Sequence, residues 1–159
     1  MALNVASHYP DRPRLLNAMA DLAVEELTHY REVVRVMSGL GLAPGADAKD
    51  PYIHALQKQI RRGRDEYLLD RLLVGAVVEA RGHERFALVR DALAARDSAH
   101  HELHGFYRSI AESERRHWLK FVELARAECP QFDIDGRLDE LIDAEAEVMT
   151  VLPFRPALH

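Results

Sequence analysis

The chain has 159 residues, enough for one domain with a buried core, and its 48% hydrophobic and 30% charged residues are typical of a folded globular protein. A net charge of −5 excludes general, charge-driven binding to nucleic acid, so any RNA contact needs a local basic patch. The single cysteine, Cys129, excludes an internal disulfide. Without a signal peptide or a membrane-length apolar run, the predicted location is cytoplasmic and away from membranes.

The first third of the chain predicts a long helix, a loop and a short helix. The long helix has Pro13 in its first turn and an apolar period that continues until the glycine-containing stop at 39–41. A polar loop follows. Asp50 and Pro51 then open a short helix that is predicted to end near Gly63.

The remainder predicts two long helices and a weaker one. The long helices span about 64–95 and about 98–128, and Pro130 closes the second. A weaker amphipathic helix follows over about 134–151. Because no segment alternates with a period of two, the predicted class is all-α. With no internal repeat or linker, residues 1–159 are predicted to form a single helical domain.

Two of the long helices carry a Glu-x-x-His pair in the middle of an otherwise apolar stripe. The pairs are Glu26 with His29, and Glu114 with His117. Each pair replaces two positions where leucine or isoleucine would face a neighbouring helix. The Glu-x-x-His motif alone is common by chance. Burial of an ionised carboxylate without a partner is strongly unfavourable, however, so the position on the stripe indicates a bound cation.

The long helix between them has one carboxylate, Glu79, on its apolar stripe. Gly75 and Gly82 lie about one turn away on either side and leave room for a ligand or a close backbone. Glu and His three residues apart share a helix face and can bind one metal ion together. Carboxylate with imidazole favours iron or manganese, whereas a thiolate-rich site would favour zinc.

Other interpretations of these residues stay open. A carboxylate on the stripe can pair with an arginine such as Arg81 or Arg116, and a histidine there can be an ordinary core residue. His83 lies one turn beyond Glu79, close to the stripe. It is a candidate outer partner of the ligands or a substitute ligand, although its position off the stripe favours a non-ligand.

At these residues the sequence resembles the tRNA 2-methylthio-isopentenyladenosine hydroxylases, the MiaE family of ferritin-like proteins. The matching segments are LAVEELTHYREV, LLDRLLVGAVVEARGHERFALV and FYRSIAESERRHWLKFVELA. The resemblance covers nearly the whole chain. It implies a ferritin-like four-helix bundle with an extra C-terminal helix. It also implies an oxygen-dependent enzyme that hydroxylates the isopentenyl group of a hypermodified adenosine beside the tRNA anticodon.

The resemblance further implies a di-iron centre, with dioxygen as co-substrate and no catalytic residue beyond the metal ligands. Carried over to this sequence, Glu26 and Glu114 would bridge the two irons. His29 would be a terminal ligand of one iron, and Glu79 with His117 terminal ligands of the other. The implied partners are the tRNA substrate and an electron-donor protein or reductase.

One feature departs from the family pattern. A ferritin-like di-iron site takes one Glu from each of two helices and a Glu-x-x-His pair from each of the other two. The helix before Pro13 should supply the fourth carboxylate, yet residues 1–9 contain none and resemble only its last turn. The first bundle helix is therefore expected to be missing or truncated. Either the ligand lies upstream of Met1, or the centre lacks it. A homodimer, or a further segment, is expected to cover the groove left by that helix.

The densest basic run is the candidate contact with tRNA phosphates, and it contains Lys58, Arg61, Arg62 and Arg64. The alternative for this run is a solvated helix end with cations near its negative pole. Two other functions are kept as hypotheses. One is a ferritin-like metal protein that handles iron or reduces peroxide, and the other is an inactive helical relative.

Overall fold

The computed structural model describes residues 2–46, 48–95 and 101–153. Within these residues the chain forms six α-helices and no strand, which confirms the all-α prediction. The predicted helix start near Ser98 lies outside the described residues. The helices are α1 Ala2–His8, α2 Pro13–Gly39, α3 Pro51–Gln57, α4 Arg64–Ala94, α5 His101–Glu128 and α6 Ile134–Val151.

The internal contacts divide the chain into two compact units, residues 1–49 and 50–159. In the first unit α1 packs against α2. A Schellman motif closes α2, in which the Leu42 N–H donates to the Met37 carbonyl (2.8 Å) and the Gly41 N–H to the Ser38 carbonyl (3.0 Å). Gly41 has a φ of 72°, which a side chain would disfavour, so the predicted glycine stop is confirmed. The single-domain assignment stays a prediction.

In the second unit α4 and α5 pack along each other, α6 packs against α4, and α3 packs against α6. The apolar stripes predicted for the two long helices form the core between them. Each large apolar side chain that is buried there stabilises the fold by roughly 1.5–3 kcal/mol, because its surface is removed from water. The stripe residues that are buried include Leu68, Leu72, Ile110, Phe121 and Leu124.

The short helix α3 ends at Gln57, so the predicted end near Gly63 is wrong. After Gln57 the chain makes tight turns, in which the Lys58 and Gln59 N–H groups donate three residues back. The Arg61 N–H then donates to the Asp70 carboxylate at 2.8 Å and does not continue a helical ladder. A tertiary partner thus stops the helix earlier than the next glycine would.

Asp70 is a wholly buried carboxylate that joins α4 to α6 and to the link before α4. It accepts hydrogen bonds from the Arg61 guanidinium (2.8 and 3.0 Å) and from the Arg137 guanidinium (both 3.0 Å). Burial by itself raises the pKa of Asp70. The hydrogen bonds from Arg61 and Arg137 outweigh burial and hold the pKa below its usual value.

A second buried polar group, Glu145, fastens α6 to α3 and α4. The Arg81 guanidinium donates to both of its carboxylate oxygens, one at 2.9 Å, and the Tyr52 hydroxyl donates at 3.1 Å. Arg81 also pairs with Glu84 at 2.6 Å. Two residues along a helix turn it through about 200°, so Arg81 and Glu79 lie on different sides of α4. Burial, together with the negative charge of Glu145, raises the pKa of Tyr52.

No helix among the described residues is long and apolar enough to cross a membrane.

Candidate metal centre

Three buried donor groups of the second unit meet between α4 and α5. They are the carboxylates of Glu79 and Glu114 and the imidazole of His117, and one ligand atom of each lies within 4.8 Å of the others. Each residue is 9% exposed or less. The predicted convergence of the α4 carboxylate with the α5 Glu-x-x-His pair is therefore present in the structure.

Helix geometry explains this convergence. Glu114 and His117 lie three residues apart on the buried face of α5, with Ile110 before them and Phe121 after them in the core. Glu79 continues the buried face of α4 beyond Leu72. Because α4 and α5 pack along their length, the polar positions of the two stripes lie opposite each other.

The electrostatics of the cluster favour a cation. Two carboxylates in one buried site repel each other and lose hydration, and a bound positive charge offsets both costs. The His117 Nδ1 atom lies 3.6 Å from a Glu79 oxygen, so imidazole and carboxylate point to the same place. Two oxygen donors and one nitrogen donor within 4.8 Å fit the ligand preferences of iron or manganese.

Ser113 is a further residue of the candidate site, and the sequence pattern did not predict it. Its side-chain oxygen lies 3.5 Å from His117 Nε2 and accepts a hydrogen bond from the Arg116 guanidinium at 3.1 Å. For Nδ1 to bind a metal, the ring proton must be on Nε2, where the Ser113 oxygen accepts it. The available signal was a serine one helical turn before a candidate ligand histidine.

We expect Ser113→Ala to weaken metal binding by about tenfold or more, because an unsupported imidazole is less well oriented and a weaker donor. The measurement is an anaerobic titration of the apoprotein with ferrous iron. The matched control is Ser109→Ala, a change at an exposed serine of the same helix. Equal affinities for the two variants would show that Ser113 does not support the ligand.

His83 has a defined role that favours the non-ligand interpretation. Its Nδ1–H group donates a hydrogen bond to the Ala111 carbonyl oxygen of α5, over a distance of 2.7 Å between nitrogen and oxygen. Among the described residues, His83 does not belong to the cluster whose candidate ligand atoms lie within 4.8 Å of one another. His83 therefore holds α4 against α5 beside the cluster.

Glu26 and His29 belong to the first unit, on α2. The Glu26 carboxylate lies 3.9 Å from His29 Nδ1, so this Glu-x-x-His pair shares one helix face as predicted. Leu15 and Met19 on the same stripe are fully buried. The Glu26 side chain, however, is 45% exposed, so a fully buried stripe is wrong at this position.

The basic run lies on the link that follows α3 and at the start of α4, and all four residues are exposed. Arg61 differs from the others, because its guanidinium forms a two-pronged ion pair with buried Asp70. Its charge is neutralised within the fold, so it is a poor candidate for a phosphate contact. Lys58, Arg62 and Arg64 keep that assignment as a prediction.

A cavity of roughly 140 Å³ opens between α4, α5 and α6, on the side of α4 that carries Arg81. None of its lining residues belongs to the candidate metal-binding cluster. The lining consists of Ala76, Val77, Ala80, Arg81, Glu84, Trp118, Leu138, Ile142 and Glu145.

Comparison with known proteins gives a consistent family assignment. The family model described as tRNA-(MS[2]IO[6]A)-hydroxylase (MiaE) matches residues 1–159. A tRNA 2-(methylsulfanyl)-N(6)-isopentenyladenosine(37) hydroxylase of Pseudomonas putida is 32% identical over 148 residues, which are 93% of this chain and 69% of that protein. The enzyme of the same name from Salmonella typhimurium is 30% identical over 136 residues, 86% of this chain. The match spans 48%, about half, of the Salmonella protein.

Among solved structures the chain is similar to one described as "Protein 43 with aldehyde deformylating oxygenase activity from Synechococcus". The TM-score is 0.86 at 31% identity, over 98% of this chain and 75% of that one. This likeness confirms the ferritin-like fold predicted from the sequence.

Proposed function

Because the chain belongs to the MiaE family of tRNA hydroxylases, we propose that it is a non-haem di-iron monooxygenase. Its substrate is the isopentenyl group of 2-methylthio-isopentenyladenosine in tRNA, the nucleoside type named for both relatives. The observation that carries the proposal is the buried convergence of Glu79, Glu114 and His117 in a chain that matches the family model throughout.

The proposed ligands are the five residues of the predicted di-iron site. Glu79, Glu114 and His117 are supported by their geometry, and Glu26 with His29 by the repeated Glu-x-x-His spacing on α2. Bound ferrous iron would supply the activation of dioxygen, which amino-acid side chains cannot provide. Hydroxylation places one oxygen atom in a carbon–hydrogen bond and reduces the other to water. It therefore needs an electron-donor protein or reductase.

The chain's own residues orient the proposed ligands and keep water away from them. Ser113 holds the His117 ring in the tautomer that leaves Nδ1 available, as its place beside Nε2 supports. Ile110 and Phe121 lie one turn on either side of the Glu114–His117 pair and are buried, so they keep water from this side of the ligands. A rigid donor set on two packed helices needs little rearrangement when a metal binds.

The tRNA contact is proposed at Lys58, Arg62 and Arg64. Their support is exposure and close spacing, which suit a phosphate backbone even in a chain with a net charge of −5. A tRNA-modifying enzyme acts where tRNA is, so the cytoplasmic location belongs to the same proposal. A homodimer stays a prediction.

The test is oxidation of the modified nucleoside. Anaerobically iron-loaded protein is mixed with a chemical reductant, dioxygen and tRNA that carries the prenylated base, and the digested nucleosides are analysed by mass spectrometry. We expect a product heavier by one oxygen atom, labelled when ¹⁸O₂ is used.

Exchange of Lys58 and Arg62 for alanine should raise KM for tRNA and leave iron content unchanged.

Matched controls separate this function from its alternatives. tRNA without the prenyl group should give no product, as should the iron-loaded mixture without dioxygen. The Synechococcus structure, which is described as having aldehyde deformylating oxygenase activity, makes an aldehyde the second substrate to test, because the likeness covers 98% of the chain. Turnover of aldehyde and not of tRNA would overturn the proposal. Iron binding or peroxide consumption with no organic product would indicate an iron-handling or peroxide-reducing protein. Failure to bind iron would indicate an inactive relative.

A further inference from the structure

Gly82 of α4 lies directly against the carboxylate of Glu114 on α5. A β-carbon at position 82 would be 3.3 Å from Glu114 Oε2, 3.6 Å from its Cγ and 3.7 Å from its Cδ. The shortest of these distances is tighter than an ordinary van der Waals contact. The Glu114 carboxylate therefore lies close against α4 at the point where any other residue would carry its β-carbon.

Backbone conformation does not explain why position 82 is a glycine. Gly41 is the one described residue with a positive φ, so Gly82 has an ordinary helical backbone that alanine would adopt. Glycine in a helix interior is less favourable than alanine by about 1 kcal/mol. The position thus gives up helix stability, and the close approach of Glu114 is the feature that alanine would disturb.

The backbone at Gly82 is held from both sides. Arg81, the preceding residue, is bound to buried Glu145 of α6, and His83, the following residue, donates to the Ala111 carbonyl of α5. Because α4 is fastened here to both neighbouring helices, it cannot easily move away from α5. A methyl group at position 82 would have to displace the Glu114 carboxylate by a few tenths of an ångström.

We propose that Gly82 is a positioning residue for the metal centre, which lets the Glu114 carboxylate lie against α4 where it meets Glu79 and His117. The inference rests on the proposed function, because it takes Glu114 as a metal ligand. In the apoprotein the carboxylate can rotate away from an added methyl group. With metal bound its position is fixed, and the clash weakens binding.

The experiment compares Gly82→Ala with Gly105→Ala in the full chain. Gly105 is a helical glycine of α5 at which an added β-carbon meets nothing within 4 Å. In the presence of a chelator we expect both variants to unfold at or above the wild-type temperature, as higher helix propensity requires. In anaerobic ferrous titrations we expect wild-type affinity for Gly105→Ala and at least tenfold weaker binding for Gly82→Ala.

Glu114→Asp tests the same contact from its other side, since it withdraws the carboxylate by one methylene. We expect Gly82→Ala to weaken iron binding less in the Glu114→Asp background than in the wild type. Equal losses in both backgrounds, or wild-type affinity in Gly82→Ala, would overturn the inference and leave the proposed function intact. Wild-type protein that binds no iron would overturn both.

Discussion

Exchange of Glu114 for glutamine is expected to remove most of the bound iron and to leave the apoprotein at least as stable as the wild type. Glutamine keeps the size of the side chain but loses its negative charge, which a hard cation requires. Without metal, the same exchange removes the repulsion between two buried carboxylates, Glu79 and Glu114. The measurements are iron per chain after anaerobic loading and thermal unfolding with a chelator.

The control for this experiment is Glu112→Gln, a change at an exposed glutamate two residues earlier on α5. It should keep the wild-type iron content, near the roughly two ions per chain of a ferritin-like centre. His117→Ala should lose iron as Glu114→Gln does. Wild-type iron content in both ligand variants would refute the ligand assignment, whatever the enzymatic activity of the preparation.

Asp70→Asn is expected to destabilise the folded protein strongly, by on the order of 3 kcal/mol, without changing any proposed metal ligand. The exchange removes a buried charge that accepts hydrogen bonds from two arginines. It leaves the guanidinium groups of Arg61 and Arg137 without that counter-charge. Since Arg61 is partly exposed, water compensates some of the loss, which places the effect at the lower end for a broken buried pair.

Urea denaturation at neutral pH measures this effect as a decrease in the free energy of unfolding. The matched control is Asp135→Asn, since Asp135 pairs with Arg126 at 2.7 Å but on the surface. Surface pairs contribute little, so its unfolding should stay close to that of the wild type. A loss in Asp70→Asn no larger than that control would show that the buried network adds no net stability.

The same variant gives a pH dependence with a definite sign. Hydrogen bonds from the arginines hold the pKa of folded Asp70 below the ordinary value of about 3.9. Its contribution to stability is therefore fully present above about pH 4 and is lost as the pH falls through the folded pKa. The difference in stability between wild type and Asp70→Asn should be constant near neutral pH and should narrow in acid.

The burial of the candidate ligands on α4 and α5 could be predicted from the sequence because helix periodicity is a local property. Three- and four-residue steps from Ile110 lead to Glu114, His117 and Phe121, and these four residues are buried together. No tertiary information is needed to see that a carboxylate interrupts such a face. The glycine at position 82 was likewise expected to leave space, although the sequence did not show that Glu114 fills it.

The features that the sequence did not reveal depend on contacts between distant segments. Arg61 belongs to a basic run that looks like a phosphate contact, and its pairing with Asp70 follows from the packing of α6 and the link against α4. The same pairing ends α3 early. Ser113 was missed because serine on a helix is common, and only the orientation of the His117 ring gives it a role.

The segment of α4 from Glu79 to Arg85 contains several residues that face different neighbours. After Glu79 at the candidate metal centre, Arg81 binds Glu145 of α6, Gly82 lies against Glu114, and Arg85 donates to the Met149 sulfur at 3.2 Å. One inserted or deleted residue would rotate everything beyond it by about 100° and break these contacts together. An insertion or deletion in this stretch would therefore cost several contacts at once, whereas a single exchange of a side chain would cost only the contacts of that residue.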